Sequence, residues 1–501
     1  MASGSDSVPD ERSYKSTVEA SEILAKIEKG EDVEYDGYII KGNLDISSIK
    51  LPEEDGKPIV KSKIVIINSE VDGFARFANV IFKEQIDFSN TIFNGEDEED
   101  GESPTYEFCG AIFSRGQGPT SDFSGAIFSD DAYFVGAKFW YANFDNAKFS
   151  YASFNYATFD DNTYFSDATF GGNIYFIDAE FKGDAYFHRA VFNSFACFID
   201  TKFGYEDFIA DFRGAIFGDG ADFLRATFRG SASFHGAIFS DETNFRKATF
   251  SMSADFRKAT FSSFADFSDA TFRNNIDFDY VTFGDVKFAM AKFNGDTLTF
   301  RMAKFAFPNA QEDACRRAKN VLAKAGNRDE EEYHFYREME AKRVQKGNRK
   351  YWGDAIDWNL AKVVWKRNRE YSGVGLRALS YVFFETDKWS WWGYLWYDGV
   401  EWIFAQLMFG YGVYPKRLAV SWFVIVLLFT GLYYNGQILS DASKWDYLTA
   451  SFGTAIAPGY IAVILNKIDS QSYQAAAMVE TLLGTLLWAG FIATFAKKYM
   501  R

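Results

Sequence analysis

From Ala132 to Phe159 phenylalanine recurs at 134, 139, 144, 149, 154 and 159, and each has an alanine two positions before it. A period of five suits neither an α-helix nor a flat strand, so the pattern predicts a chain wound into a coil. The rings would stack inside, the alanines would let adjacent turns approach, and the other three positions would face water. After Phe159 the spacing alternates five and six, giving an 11-residue unit that recurs from Phe165 and Phe170 to Phe278 and Phe283. The sixth residue is expected as a bulge at a corner, repeated on alternate faces. The step from Phe203 to Phe212 is nine residues and predicts a register skip around Gly204–Ala210. Gly95–Thr105 and Ser114–Thr120 read as loops. At roughly 21 residues per coil and ~4.8 Å per coil, the pattern predicts about 11 coils in a rod ~50 Å long, with both ends capped.

The flanks change period. Ser16–Lys29 reads as a helix that Ser16 or Thr17 can cap and Gly30 stops, and Val33–Ile49 alternates like strands that cap the coil. Phe307-Pro308 closes the rod. Helices are expected at Asn309–Lys324, capped by Asn309, at Glu330–Gln345, capped by Asp329, and at Trp352–Arg369. The repeat unit resembles the pentapeptide-repeat family, A-[DN]-L-x-x, with phenylalanine where leucine is usual. That resemblance implies a right-handed quadrilateral β-helix with four pentapeptides per coil. Some acidic rods of that family mimic duplex DNA and bind type II topoisomerases.

The last third is patterned differently. Trp389–Phe409 is aromatic-rich, carries Asp398 and Glu401, and reads as an interfacial amphipathic helix. Leu418–Tyr434 is charge-free and Ala475–Ala496 holds only Glu480, so both are candidate spans. Between them Tyr447–Leu465 is charge-free but broken by Pro458-Gly459, which suits a re-entrant loop with Ser443–Thr454 as its helix and Ala455–Ile461 as returning backbone. With two spans, Lys416, Arg417, Lys497, Lys498 and Arg501 fall on one side, leaving the rod and both termini cytoplasmic. This order of elements resembles the two-transmembrane pore-loop channels of the potassium-channel superfamily. The segment FPNAQEDACRRAK…YHFYREMEAKR resembles the helical connector of prokaryotic proteins that join pentapeptide repeats to such a pore.

The channel resemblance implies four subunits and a filter at Thr454, Ala455, Ile456, Ala457, Pro458, Gly459, Tyr460 and Ile461. Pro458 and Ile461 depart from the family pattern, since glycine at the last position permits the dihedrals that aim carbonyls at an axis. Glu480, Asp469, Gly484 and Gly490 are the pore-associated candidates. Glu480 would form a carboxylate ring or accept a hydrogen bond from the Thr449 or Ser451 hydroxyl. Gly484 and Gly490 would hinge the helix or permit close packing. Gly410-Tyr411-Gly412 spells a filter tripeptide but precedes the first span, and reads as a turn.

Composition sharpens this division. The net charge is −16, concentrated in the repeats and their leader, and most of the 55 Phe lie between Phe74 and Phe307. Eleven of 12 Trp follow Tyr351, where clustered indoles suggest interfaces. Cys109, Cys197 and Cys315 give neither a disulfide framework nor zinc spacing, and no cleavable signal peptide precedes the repeats. His188, His235 and His334 are too dispersed for a metal site. The acidic run Glu96–Asp100 lacks the alternation of a calcium loop, and Gly116-Gln-Gly118 lacks the context of a nucleotide loop. No nucleophile, base and oxyanion site assembles, so neither an enzyme nor a cofactor is expected.

The expected fold is multidomain: residues 1–50 leader helix and cap, 51–307 β-helix, 308–375 helical connector, 376–415 interfacial region and 416–501 an α-helical membrane pore domain. That domain comprises spans at 418–434 and 475–496 around a pore loop at 443–462. The expected function is an oligomeric, tetrameric cation channel of the cell membrane with cytoplasmic rods. Its partners would be lipid, monovalent cations and further copies of the chain, with no nucleic acid. The alternative is a membrane-anchored pentapeptide-repeat interaction module, a scaffold or DNA-mimic rod.

Overall fold

A phenylalanine side chain hides a large apolar surface, and the repeat gives each one a place on an internal ladder. The computed structural model describes residues 16–95, 105–114, 121–351, 415–437, 439, 443–456 and 471–499. Through the repeats the phenylalanine and the alanine two positions before it are buried, as at Ala132, Phe134, Ala137 and Phe139, and the residues between them reach the surface. The rings stack in four columns, which run from Phe77 to Phe288, Phe82 to Phe293, Phe88 to Phe300 and Phe93 to Phe305. Phe181 lies 4.6 Å from Phe159 below it and 5.2 Å from Phe203 above, nearly parallel to both. The first and third columns meet edge to face, as Phe187 and Phe198 do at 87°. Ring edges thus meet ring faces across the interior, which suits the aromatic quadrupole.

The turns pair in parallel. Two walls are 12-stranded sheets, and a third sheet of 20 strands wraps corners through long strands such as Lys148–Ser153 and Thr260–Asp266, so the β-solenoid has about 12 turns. Corners come in two kinds. After the first and third columns the chain reads Phe-x-x-Ala, and the alanine N–H donates to the phenylalanine C=O at 3.1 Å, as at Ala147 and Phe144. The residue before that alanine has φ of 60° at Asn146, 59° at Tyr156 and 56° at Arg225, while Gly136 and Gly236 occupy equivalent corners. These are type II turns, which favour glycine or asparagine there, yet several corners hold bulky residues in the left-handed region. The sixth residue enters after the other two columns, and the register shifts at corners such as Phe128/Asp131 and Phe261/Phe264. Beyond Phe203 the chain bows out at Gly204, and pairing resumes with Ala210 opposite Ala185.

Both ends of the stack are covered. Ser16–Glu19 is a strand paired with Tyr38–Lys41, correcting the expected helix start; its β-branched Thr17 and buried Val18 suit a pleated wall. Helix α1, Ala20–Lys29, then lays Ala20, Ile23, Leu24 and Ile27 on the core and ends at Gly30, φ 75°. At the other end α2, Pro308–Ala325, buries Ala310, Ala314, Ala318 and Leu322 in the same core. It starts one residue before the expected Asn309 cap because Pro308, which has no N–H to satisfy, fits the first turn.

Residues 329–501 form a second compact unit. It contains most of α3 (Arg328–Tyr351), then α4 (Pro415–Asn435), α5 (Lys444–Ile456) and α6 (Gln471–Tyr499). Helices α4, α5 and α6 pack on one another through Trp422, Val426, Ala455 and Leu487, and through Tyr433, Tyr447, Ala450 and Ala477. Ser443 caps α5: its N–H and hydroxyl both donate to Asp446, each at 2.7 Å.

Among the described residues no helix is long and apolar enough to cross a membrane, which overturns the expected two-span cell-membrane placement and the membrane pore domain built on it. In α4 the apolar stretch Leu418–Leu432 covers about 22 Å at 1.5 Å per residue, against ~30 Å of hydrocarbon. In α6 Glu480 interrupts the run. The expected helices at Trp352–Arg369 and Trp389–Phe409, the Gly410-Tyr411-Gly412 turn, and nearly all of the Gly95–Thr105 and Ser114–Thr120 loops lie outside the described residues.

Candidate functional site

The rod surface begins with what its turns demand. The N–H of the residue after each first- or third-column phenylalanine projects at a corner and needs an acceptor. Where an Asp or Asn precedes the phenylalanine, its side chain supplies one: Asp211 accepts from Arg213 N–H at 3.0 Å, Asp222 from Leu224 at 2.8 Å and Asp277 from Asp279 at 2.8 Å. Where tyrosine or threonine stands there, the Asx of the preceding turn reaches up instead. Asp145 accepts from Ser166 N–H at 2.6 Å, Asn155 from Ile177 at 2.8 Å and Asp279 from Arg301 at 2.7 Å. Much of the acidity is therefore built into the corners. Burial pushes the Asp222 and Asp277 carboxyls up from the ordinary aspartate range.

Charge is uneven along the rod. Residues 16–200 hold 33 Asp and Glu against 14 Lys and Arg, whereas 201–307 hold 14 against 13. Arginines of the second stretch fork onto aspartates: Arg213 on Asp211 and Arg257 on Asp255 within a turn, and Arg225 on Asp200 one turn below. The Arg225 hydrogen bonds hold Asp200 below the usual carboxylate range, and Arg189 does the same to Asp167. His188 and His235 sit at the first position of their corners, and His235 lies 3.7 Å from Asp255. His334 is buried in α3, with Nδ1 2.8 Å from Glu330 O.

The second candidate site is the α4–α5–α6 junction. Glu480 is fully buried. Its Oε2 accepts from Tyr433 OH at 2.6 Å and lies 2.8 Å from Thr454 Oγ1, and its Oε1 contacts Ser451 Oγ. Burial is the largest influence on this carboxyl and pushes it up. Of the two partners the sequence named, Ser451 meets Glu480, whereas Thr449 bonds the Asp446 carbonyl at 3.0 Å. Thr454, a filter candidate, is buried and turns its hydroxyl onto Ala450 O, Ser451 O and Glu480. Ala455 and Ile456 belong to the last turn of α5, not to returning backbone. Pro458 disfavours helical geometry only at the residue before it, so the helix can run to Ile456. Trp422 Nε1 donates to Ala455 O at 3.4 Å, and Trp422, Phe452, Ile456 and Trp488 line an open apolar pocket of about 290 Å³.

Gly484 faces the Ala455 backbone so closely that a Cβ there would lie 2.5 Å from Ala455 O. That is the packing role. Gly490 lies farther along α6. Ala457, Pro458, Gly459, Tyr460, Ile461 and Asp469 lie outside the described residues. Sequence reasoning missed Tyr433 as a Glu480 partner, although its buried hydroxyl needs an acceptor. It also missed the corner carboxylates, for which the Asx before phenylalanine was the available signal.

The pattern of the pentapeptide repeats (9 copies) matches residues 144–191, 154–202, 212–253 and 245–289, leaving out the bowed segment after Phe203. No curated protein matches the chain. Five chains of solved structures match. One is a trypsin-treated form of QnrB1, a plasmid-mediated fluoroquinolone resistance protein. It is 14% identical, and the alignment covers 53% of this chain and 96% of that one at a TM-score of 0.17. A likeness that loose carries no argument. The repeat match ends at residue 289, and neither it nor the QnrB1 likeness shows a pore-loop channel domain.

Proposed function

We propose that this pentapeptide-repeat solenoid is a rigid interaction scaffold whose acidic stretch, residues 16–200, docks a basic protein surface. The observation that supports it is the excess of 33 acidic over 14 basic residues along that stretch, in which corner hydrogen bonds hold carboxylates such as Asp87, Asp122 and Asp145 in place. Groups held by the fold lose little conformational freedom on binding, and a one-sign field speeds encounter with a basic partner. A protein that grips duplex DNA has such a surface, which gives the narrower DNA-mimic form of the reading. The ion-channel reading is not carried forward, because it required two spans.

The test is displacement of a labelled DNA duplex from a type II topoisomerase by the full chain, followed by fluorescence anisotropy. Displacement that weakens with added salt, and that is lost when Asp160, Asp161, Asp178 and Glu180 become lysine, is the expected outcome. Failure to displace at low salt would sink the DNA-mimic form. Retention of displacement by the lysine variant would move the contact away from those four carboxylates.

A second reading concerns assembly. Val420, Val424, Leu427 and Leu428 of α4 and Leu482 and Leu486 of α6 are each about half exposed or more, although the opposite faces of both helices are buried. A helix apolar all round is normally covered, and further copies of the chain would cover these helices while gathering several rods. A monomeric mass in light scattering at micromolar concentration would refute self-association.

A further inference from the structure

The α4–α5–α6 junction contains more acceptors than its hydroxyls have protons. Ser451 Oγ lies 2.8 Å from Val426 O and also contacts Glu480 Oε1, yet it carries one hydrogen. Thr454 Oγ1, again with one hydrogen, sits 3.1 Å from Ala450 O, 2.9 Å from Ser451 O and 2.8 Å from Glu480 Oε2. Among the described residues Tyr433 OH bonds to Glu480 Oε2. If Glu480 were ionised, Ser451 would have to leave either Val426 O or Oε1 facing its lone pairs at contact distance. A hydrogen on Oε1 resolves the count. The carboxyl donates to Ser451, Ser451 donates to Val426 O, Tyr433 donates to Oε2, and Thr454 bonds its own helix or Oε2.

We propose that Glu480 is a neutral carboxylic acid in the folded helical unit, and that its ionisation is a pH-sensitive latch on the α4–α5–α6 junction. Tyr433 and Val426 face it from α4, and Ser451 and Thr454 from α5. Glu480 itself is the charged residue type on α6 before Lys497. The other charged residues of these helices are Lys416 and Arg417 at the start of α4, Lys444 and Asp446 in the first turn of α5, and Lys497 and Lys498 at the end of α6. Lys444 lies over the Tyr434 ring and Asp446 holds the Ser443 cap; among the described residues no cation pairs with Glu480. Isolated ionisation would leave a buried charge with too few donors.

The sign follows from the raised carboxyl. A carboxyl that binds its proton more tightly when folded adds stability below its unfolded value of about 4.3, and that stability fades as pH rises through the folded value. The latch therefore holds at low pH and loosens at higher pH.

The experiment uses the full chain and its Glu480→Gln variant, whose amide can donate to Ser451 and accept from Tyr433 permanently. Infrared spectra across pH should show a protonated-carboxyl C=O band in the wild type that persists well above the ordinary carboxylate range and is missing from E480Q. Hydrogen exchange of α5 and α6 should quicken at least tenfold as that band disappears in the wild type, and should lack this step in E480Q. Tyr433→Phe, which removes a donor from Oε2, should shift the disappearance to higher pH. A wild-type spectrum without that band in the ordinary neutral range would overturn the proposal, as would an E480Q exchange profile that keeps the step. Either result leaves the rod scaffold untouched.

Discussion

The rod fills its interior with rings and alanines, apart from scattered hydroxyls such as Thr91 and Thr201 that donate to backbone carbonyls and the buried Asp211, and it sets carboxylates at corners where one oxygen accepts a backbone N–H. The α4–α5–α6 unit takes the opposite course, placing a carboxyl at its centre and closing hydroxyls around it. Repetition accounts for the difference. A repeat has the same few positions to offer at every level, so a buried polar group would need a partner on every turn. Three helices of unlike sequence can gather Tyr433, Ser451, Thr454 and Glu480 once. The lesson is that the rod spreads its stability over many equivalent sites, while the helical unit concentrates it in one.

The strongest challenge to that contrast is Phe181→Ala in the middle of a column. It removes a ring stacked on both sides and should cost about 3–5 kcal/mol in denaturant unfolding. Phe305→Ala, at the end of its column and stacked only on Phe283, should cost visibly less. Equal losses would mean that the stack does not behave as nearest-neighbour turns. Next comes Gly484→Ala, whose Cβ would strike the Ala455 backbone. A loss of about 1–3 kcal/mol is expected in the helical unit alone, read by tryptophan fluorescence, since Trp422 and Trp488 lie at this junction. Concurrent unfolding of the rod would erase the distinction between the units.

A smaller effect, about 1 kcal/mol, is expected for Asn155→Ala, which strands the Ile177 N–H; Asn155→Asp should recover most of it. The smallest is electrostatic. Arg225 depresses Asp200, so that pair supports folding above the unfolded aspartate value of about 3.9, and its support is lost as pH falls through the lower folded value. Arg225→Ala should flatten the acid slope of the unfolding midpoint by lowering the midpoint slightly near neutrality while leaving the acid limb nearly unchanged, and the effect is small because the arginine is solvent-exposed.

The coil was legible because phenylalanine and alanine occupy fixed positions, and a fixed period dictates burial whatever the partner. Even the nine-residue step after Phe203 could be located. The corner chemistry was less visible. Asp145 and Asp211 serve equivalent N–H groups from different sequence positions, a relation that appears only once the turns are superposed. In the last third, apolar length and the flanking basic clusters suggest spans, yet Leu418–Leu432 is short and Glu480 interrupts the second run. Pro458 suggests returning backbone from Ala455 on, yet the helix reaches Ile456, because proline constrains the residue immediately before it. Glu480 was legible as a buried carboxyl that needs a hydroxyl; Tyr433 comes from 47 positions away in sequence, and only packing brings it there.

The corner bonds that climb from one turn to the next, such as Asn155 to Ile177 or Asp145 to Ser166, join residues 22 and 21 positions apart. A gene duplication or excision of one whole turn would leave every such bond with a partner of the same kind, and would lengthen or shorten the rod by one storey. Loss of a single residue would instead shift every later storey against its neighbour. The rod can therefore change length by inheritance in whole turns, and the bowed segment after Phe203 shows that extra residues are accommodated where they leave the wall and return in step.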